Sequence, residues 1–459
     1  MASDRHNLFK GAASAVSATT EDRSLRRFVF LIMQGTMART GIILANILAG
    51  LLTAKMLGTV GKGEQAAIIL WPQLVSSFFA LGLASATTYL HRNEDERFSE
   101  DFGAILVLGF VLGLGATATG ALLIPQLMGH YPARTIETAQ WLMLFGPSCV
   151  TAPCLLALLE AKGRFALSNG FMLIQPTAAF VVIVALALMG VEDPIAYGLA
   201  YMLPSIPVFI AQVGIACHLV RPRLSHFRSA VARVVHYGSR AYGMDVVTAL
   251  SNQIDLLLVV MLFPPEALGI YTVANSIARC LYIVQSSATA VLLPGIVART
   301  EAVVIAMVGH TLRLANVVMP AIAIALGIVA HPLIVTVYGE AFSGAASLLL
   351  IFLVEVVVTT NARVLSQAFL ARNRPGMISL ANLLWFAVTA AGAFAVGDRF
   401  GVAALAFVTL GASVVRLIAI ASAFPLILKA SIPVPILCVQ DVKRLWIMAR
   451  SRVAEAGRP

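Results

Sequence analysis

Apolar stretches of about twenty residues recur along the chain from Phe28 to Lys429, with short polar links between them. A helix of that length crosses the ~30 Å hydrocarbon layer of a bilayer, because each residue adds 1.5 Å along the axis. Hydrocarbon offers the backbone no hydrogen bonds, so only helices and closed barrels cross it, and barrel strands are ~10 residues of alternating polarity. The pattern therefore predicts an all-α polytopic membrane protein.

Runs bounded by charged residues, glycine or proline give about twelve predicted transmembrane helices in two halves of six. The first six cover residues 28–53, 66–90, 102–124, 139–160, 170–190 and 195–219, and the second six cover 242–263, 268–295, 312–336, 345–369, 377–396 and 402–428. The remaining segments are a cytoplasmic N-terminal segment (1–27), a basic connecting loop (220–241) and a basic amphipathic tail (429–459). The two six-helix bundles are thus residues 28–219 and 242–428.

The positive charges indicate the orientation of these helices. A formal charge of +10 would suggest nucleic acid in a soluble chain, but only 12% of the residues are charged, so the charge must be interpreted by location. If both termini are cytoplasmic, most of the 32 lysines and arginines lie on the cytoplasmic side, as the positive-inside rule requires. We therefore expect two cytoplasmic termini and no nucleic-acid partner. The tail from Ile436 to Val453 is predicted to lie on the bilayer surface as an amphipathic helix.

The two halves show a weak internal repeat. An ungapped shift of 206 residues places Asn46 on Asn252 and Gly63 on Gly269. Because an even number of helices keeps two repeats parallel, the halves would be related by an axis along the membrane normal, with the substrate path between them.

Four arginines lie inside predicted spans, where a charge costs ~2.5–3.5 kcal/mol near the bilayer centre. Arg39, Arg279 and Arg416 are at mid-depth, whereas Arg363 is near the cytoplasmic end of its span and long enough to reach the interface. The structural interpretation is buried ion pairs or helix capping. The functional interpretation is a positively charged cavity for a substrate with several negative charges, since phosphate groups suit the planar guanidinium.

Three acidic residues are candidate charge partners or ion-coupling groups. Asp255 is predicted at a depth similar to that of Arg279 in the next helix, so the two residues form a direct pair or Asp255 is a switchable partner. Glu355 would neutralise an arginine or bind a coupling cation or proton. Asp245 lies near the end of its span, which also fits an ordinary interfacial residue.

The chain has no signature of catalysis. It lacks the nucleotide-binding pattern GxxxxGK[ST], a nucleophile triad in a polar loop and a Cys/His metal-ligand spacing. We therefore predict that it is not an enzyme and uses no cofactor or metal. Transport would be driven by an ion gradient, the membrane potential or the substrate gradient.

Several segments resemble one family of transporters. Ala38-Arg39-Thr40-Gly41, the run from Leu51 to Gly63, Leu81 to Ala86, Asn252 to Asp255 and Gly269 to Ala274 are similar to the polysaccharide flippases of the multidrug/oligosaccharidyl-lipid/polysaccharide (MOP) exporter superfamily. The resemblance covers most of residues 28–428. It implies two six-helix bundles in a V around a cationic central cavity, and Arg39 matches an arginine that such flippases carry in the first span.

The resemblance also implies a substrate and a location. The O-antigen and exopolysaccharide branch moves undecaprenyl-pyrophosphate-linked oligosaccharide from the inner to the outer leaflet of the bacterial cytoplasmic membrane. The expected partners are this lipid-linked oligosaccharide, the lipid bilayer, and the polysaccharide polymerase and glycosyltransferases that use and make it.

Three alternatives remain open from the sequence. A multidrug or organic-ion antiporter would share the fold, but a cavity for cationic drugs needs net negative charge. A lipid II flippase would share the anionic-lipid chemistry, but that branch usually carries two further C-terminal spans. A membrane scaffold without transport would use the tail from Ile436 to recruit a partner.

Overall fold

The computed structural model describes residues 2–93, 97–282, 300–396 and 400–433, together with 284, 285, 289, 292 and 296; at 2–34, 36, 38, 39, 248 and 252 it describes the backbone alone. All secondary structure in this part of the chain is helical, as predicted. Nine helical segments in this part of the chain are long and apolar enough to span a membrane, and two of them, Ala133–Ala161 and Pro194–Val220, each join two consecutive helices. The number is ten if Phe227–Ser251 and Gln253–Leu262, which meet at 56°, form one span. The predicted amphipathic tail helix and part of the predicted span 268–295 lie outside the described residues.

The N-terminal half contains helices α1 to α8. They are α1 (Ala2–Phe79), α2 (Leu83–Asn93), α3 (Phe98–Leu127), α4 (Ala133–Leu142), α5 (Gly146–Ala161), α6 (Phe165–Leu188), α7 (Pro194–Met202) and α8 (Ser205–Val220). The first predicted span and the first part of the second fall in α1, which breaks at Gly58 with φ 65° and ψ −170°. Glycine adopts a positive φ at little cost because it has no Cβ. The second predicted span is interrupted at Leu81 and Gly82, whose φ values are also positive, and it continues in α2.

The C-terminal half follows after a short turn. Its helices are α9 (Phe227–Leu262), α10 (Pro265–Arg279), α11 (Glu301–Ile328), α12 (Ala330–Tyr338), α13 (Ala345–Ala371), α14 (Gly376–Val396) and α15 (Gly401–Ala423). A large apolar core joins the two halves, with Trp71 and Leu74 of α1 in the same cluster as Tyr271 of α10 and Phe352 of α13.

The basic connecting segment is mostly a helix, although the sequence indicated a loop over 220–241. From Phe227 onward it is the first part of α9. Ala230 and Val234 are fully buried and pack with Leu83 and Phe102 of the N-terminal half. These two residues are four positions apart, so they share one face of a helix. The basic residues lie around an apolar stripe that holds the segment against α2 and α3.

A buried ion pair fastens this part of α9. Arg233 Nε donates to Asp101 Oδ1 at 2.9 Å, and Asp101 at the start of α3 is fully buried. Removing one partner of a buried pair costs roughly 3–5 kcal/mol, because the other charge stays buried.

We expect Arg233→Gln, which removes this cation from the fully buried Asp101 carboxylate, to lower the free energy of unfolding by about 3 kcal/mol or more. The melting temperature of the purified protein should fall markedly. The matched control is Arg134→Gln, which removes an ion pair with Asp193 at 2.9 Å in which Arg134 is 72% exposed. Exposed pairs contribute about 0–1 kcal/mol, so this variant should melt close to the wild type. Equal melting temperatures for both variants would contradict a stabilising role of the buried pair.

The two halves meet at equivalent glycines. A Cβ on Gly63 would lie 1.7 Å from the carbonyl oxygen of Pro265, and a Cβ on Gly269 would lie 2.0 Å from the carbonyl oxygen of Thr59. The repeat shift of 206 residues relates Gly63 to Gly269 and Thr59 to Pro265, so the two contacts are equivalent. The structure thus agrees with the internal repeat and places its local axis at the crossing of α1 and α10.

Candidate functional site

A cavity of about 290 Å³ inside the C-terminal half gathers most of the charged residues predicted within spans. Its wall comes from α9, α10, α13, α14 and α15, together with Tyr282. The charged residues that line it are Asp255, Arg279, Glu355, Arg363 and Arg416. We refer to it as the arginine cavity.

Arg416 on α15 is 8% exposed. Its Nη2 donates to Thr359 Oγ1 at 2.8 Å, and its guanidinium carbon lies 5.5 Å from the centre of the Trp385 ring. Its Nε is buried without a hydrogen-bond partner. An unsatisfied buried donor costs about 1–3 kcal/mol, so this position favours a ligand that accepts a hydrogen bond.

Glu355 on α13 is held by hydroxyl groups. Thr359, one turn further along α13, and Ser413 both donate to its Oε1, the Ser413 bond being 2.8 Å long. Ser413 accepts a hydrogen bond from Trp385 Nε1 at 3.0 Å. The Thr359 hydroxyl therefore connects the Arg416 cation to the Glu355 carboxylate.

Asp255 and Arg279 are linked through Asn275. Asn275 Nδ2 donates to Asp255 Oδ2 at 3.3 Å, and Asn275 Oδ1 accepts from Arg279 Nε at 3.1 Å. Tyr271 also donates its hydroxyl to Asp255 Oδ2 at 3.3 Å. The Asn275 amide therefore bridges the two charged side chains.

Arg363 lies over the ring of Tyr282, with 5.0 Å between the guanidinium carbon and the ring centre. Arg363 and Arg416 both line the arginine cavity and an adjoining cavity of about 380 Å³. The adjoining cavity is polar, with Gln285, Gln367 and Asn382 in its wall. The position of Arg363 thus differs from that of an arginine that only reaches the membrane interface.

The arginine cavity carries excess positive charge, since three arginines and two carboxylates line it. An uncompensated charge in a low-dielectric site is costly unless a counterion joins it. Guanidinium groups form paired hydrogen bonds with phosphate and carboxylate oxygens. The arrangement therefore favours an anion with several acceptor oxygens.

A further cavity of about 450 Å³ lies between the two halves. Asn46, Gln73 and Tyr201 line it from the N-terminal half, and Arg279 lines it from the C-terminal half. Because Arg279 also lines the arginine cavity, this central cavity adjoins the charged site.

Lys62 is a further basic residue in the wall of the central cavity, although the predicted spans 28–53 and 66–90 leave it in the link between them. Its Nζ donates to Thr53 Oγ1 at 2.7 Å and to Gln65 Oε1 at 3.0 Å. Lys62 and Gln65 are three residues apart, a spacing that places both side chains on one face of a helix. The sequence did not reveal this, because α1 resumes directly after Gly58 and not at residue 66, where the second span was predicted to begin.

Two predicted residues are not among those that line the arginine cavity. Asp245 on α9 lies near Ser85 of the N-terminal half. The side chain of Arg39 is outside the described part of the chain. Its backbone belongs to α1, four residues before Ile43 and seven before Asn46, which puts position 39 on the helix face that borders the central cavity.

The comparisons with known proteins agree with this architecture. A family model described as polysaccharide biosynthesis protein matches residues 47–347, which is most of the chain. A search of the curated proteins found no match.

Several solved structures share the fold at low sequence identity. A lipid II flippase MurJ in an inward closed conformation has a TM-score of 0.69 and 13% identity, and the match covers 89% of each chain. An inward-facing multidrug resistance MATE family transporter of the MOP superfamily has a TM-score of 0.66 and 14% identity, over 83% of this chain and 96% of that one. An outward-facing conformation of such a transporter scores 0.51 at 13% identity, over 85% and 92%.

Many of the described helices can cross a membrane, their overall arrangement is that of MOP transporters, and the family model covers most of the N-terminal half and part of the C-terminal half. The chain therefore belongs to the polysaccharide biosynthesis protein family and is a multi-pass membrane protein with the MOP-superfamily fold.

Proposed function

We propose that this protein is a flippase that moves a polyprenyl-pyrophosphate-linked oligosaccharide across the bacterial cytoplasmic membrane, for the synthesis of O-antigen, capsule or exopolysaccharide. The observation that carries the proposal is the arginine cavity, in which Arg279, Arg363 and Arg416 outnumber the carboxylates and a buried guanidinium nitrogen of Arg416 lacks a partner. In our proposal these arginines, together with Arg39, bind the pyrophosphate.

The chemistry of the substrate explains why such a cavity is needed. A pyrophosphate and its sugars cannot enter hydrocarbon, because charged and polar groups lose their hydration there. The polyprenyl chain is apolar and can remain in lipid. The protein therefore has to shelter only the head group, and arginine is suited to pyrophosphate oxygens.

The orientation belongs to the same proposal. With both termini cytoplasmic, the turn at Gly58 and the Gly63–Gly269 crossing lie toward the outer surface. Contact between the halves there fits a conformation open to the inside, and the structure has a higher TM-score to an inward-facing MATE transporter (0.66) than to an outward-facing one (0.51). The head group would then enter from the cytoplasm and leave after the halves rock.

We propose that the acidic residues are charge partners of the arginines. Glu355 offsets the charge of Arg416 through Thr359, and Asp255 offsets that of Arg279 through Asn275. Both carboxylates remain candidates for coupling to a cation or proton. Asp245, near Ser85 of the other half, would instead respond to the relative movement of the halves.

The first experiment is a gene deletion followed by lipid extraction and mass analysis, with surface polysaccharide measured in parallel. We expect one undecaprenyl-pyrophosphate-linked glycan to accumulate while the surface polymer disappears, and a plasmid copy to reverse both changes. Accumulation of lipid II instead would assign the lipid II flippase function. No change in either lipid would contradict the proposal and favour drug efflux or a scaffold.

A further inference from the structure

The N-terminal half contains a cavity that the proposed pyrophosphate site does not use. It has a volume of about 350 Å³ and lies between α1, α5, α6, α7 and α8. Four amide side chains line it: Asn46, Gln73, Gln175 and Gln212. We refer to it as the amide pocket.

The amide pocket differs from the arginine cavity in charge. Among the described residues that line it, none is charged, and the other polar ones are Ser148, Ser205, Tyr201 and Cys149. Much of the remaining wall is apolar and includes Phe171 and Phe209. A largely apolar wall with a few placed hydrogen-bonding groups is the usual form of a small-molecule site.

One of the amides is buried with an unused hydrogen-bonding atom. Gln212 is 5% exposed, and its Oε1 has no hydrogen-bond partner. Leaving a polar atom unsatisfied costs free energy unless a ligand or water pairs with it. A buried glutamine in the wall of an open pocket therefore points to a ligand that donates a hydrogen bond.

The amide pocket is continuous with the path proposed for the head group. Asn46, Gln73 and Tyr201 line both this pocket and the central cavity between the halves. On its other side the central cavity reaches Arg279 of the arginine cavity. A ligand with one charged and one neutral polar part can therefore contact both sites together.

We propose that the amide pocket binds the sugar part of the lipid-linked substrate, while the arginine cavity binds its pyrophosphate. An amide side chain offers two donors and an acceptor, which match neighbouring hydroxyl groups that both donate and accept. A neutral pocket avoids competition with the arginines for the pyrophosphate. This inference rests on the proposed function and adds the recognition of the glycan to it.

The test compares two probes on the purified full-length protein: the lipid-linked oligosaccharide extracted from the deletion strain, and undecaprenyl pyrophosphate without sugar. We expect the wild type to bind the first more tightly. Gln212→Met and, separately, Gln175→Met should weaken binding of the glycolipid about tenfold or more and leave binding of the sugar-free lipid unchanged. Arg416→Ala should weaken binding of both.

The matched control is Gln140→Met, which removes the same amide from α4, outside the amide pocket, where Gln140 Nε2 donates to the carbonyl of Ala121. It should bind both probes as the wild type does. If the two pocket variants retain the wild-type preference for the glycolipid, or lose both probes equally, the sugar site is wrong and the flippase proposal stands. If the wild type binds neither probe, the proposed function fails and this inference fails with it.

Discussion

Replacing Arg416 with alanine is expected to abolish export of the polysaccharide while the protein remains in the membrane at its normal level. The side chain is almost fully buried, donates to Thr359, and has a free Nε next to the cavity. Loss of a buried, hydrogen-bonded charge at a binding site costs 2–5 kcal/mol or more. Surface polymer should therefore fall at least about 30-fold, and the lipid-linked precursor should accumulate.

Arg416→Lys tests whether export depends on the positive charge at this position or on the planar shape of the guanidinium group. Lysine keeps the positive charge but lacks the planar fork and the stacking that arginine offers Trp385. We expect partial export from this variant. The control is Arg372→Ala, which removes an arginine from the same half whose Nη2 pairs with Glu301 at 2.8 Å in a partly exposed position. Its export should equal that of the wild type.

A double variant separates substrate binding from a structural ion pair. If Arg416 only balances Glu355, then Arg416→Ala combined with Glu355→Gln removes both charges and should restore export. If Arg416 binds the pyrophosphate, the double variant should remain inactive. Rescue by the second substitution, measured as surface polymer, would therefore contradict the proposed role of Arg416.

The all-helical membrane fold followed from the sequence because span length is a strong signal. A charge within an apolar run is costly enough that Asp255, Arg279, Glu355, Arg363 and Arg416 stood out without any structure. Helix rotation was not predictable, because apolar residues surround these charges on all faces of their helices. The structure adds that all of them line one cavity in the C-terminal half.

The uncharged part of the site gave no comparable signal. Gln212, Gln73 and Thr359 cost much less to bury than a charge, so a single sequence contains many equivalent candidates. The helix from Phe227 was likewise hidden, because its basic residues outweighed the apolar pair Ala230 and Val234 in a segment between two predicted bundles.

Substituting either glycine at the crossing of the two halves is expected to shift the protein away from this conformation. A Cβ at Gly63 or Gly269 would lie 2.0 Å or less from a backbone carbonyl of the other half, and backbone cannot turn aside as a side chain can. Overpacking of this kind costs about 1–3 kcal/mol. Transport requires the protein to cycle between two conformations, so destabilising one of them slows the whole cycle. Gly63→Ala and Gly269→Ala should therefore each reduce export about tenfold or more.

A labelling experiment reads this shift directly. A cysteine placed at Ser276, which lines the central cavity, is treated from outside the cell with a membrane-impermeant maleimide, in a background without the native cysteines. In the wild type, the close contact between α1 and α10 at the crossing should slow the reaction of the cysteine with the maleimide. In both glycine variants the halves are forced apart at the outer end, so the cysteine should react faster.

The matched control for this prediction is Gly214→Ala, in the interior of α8, where a Cβ would meet no atom within 4 Å. Alanine also favours a helix over glycine by about 1 kcal/mol, so this variant should export and label as the wild type does. Gly63→Ala and Gly269→Ala carry the same gain in helix propensity, so any difference from Gly214→Ala reports the contact between the halves. Because the two contacts are equivalent by the repeat, the two variants should also behave alike. Normal export from both would mean that the crossing of α1 and α10 opens without cost and does not hold the conformation described here.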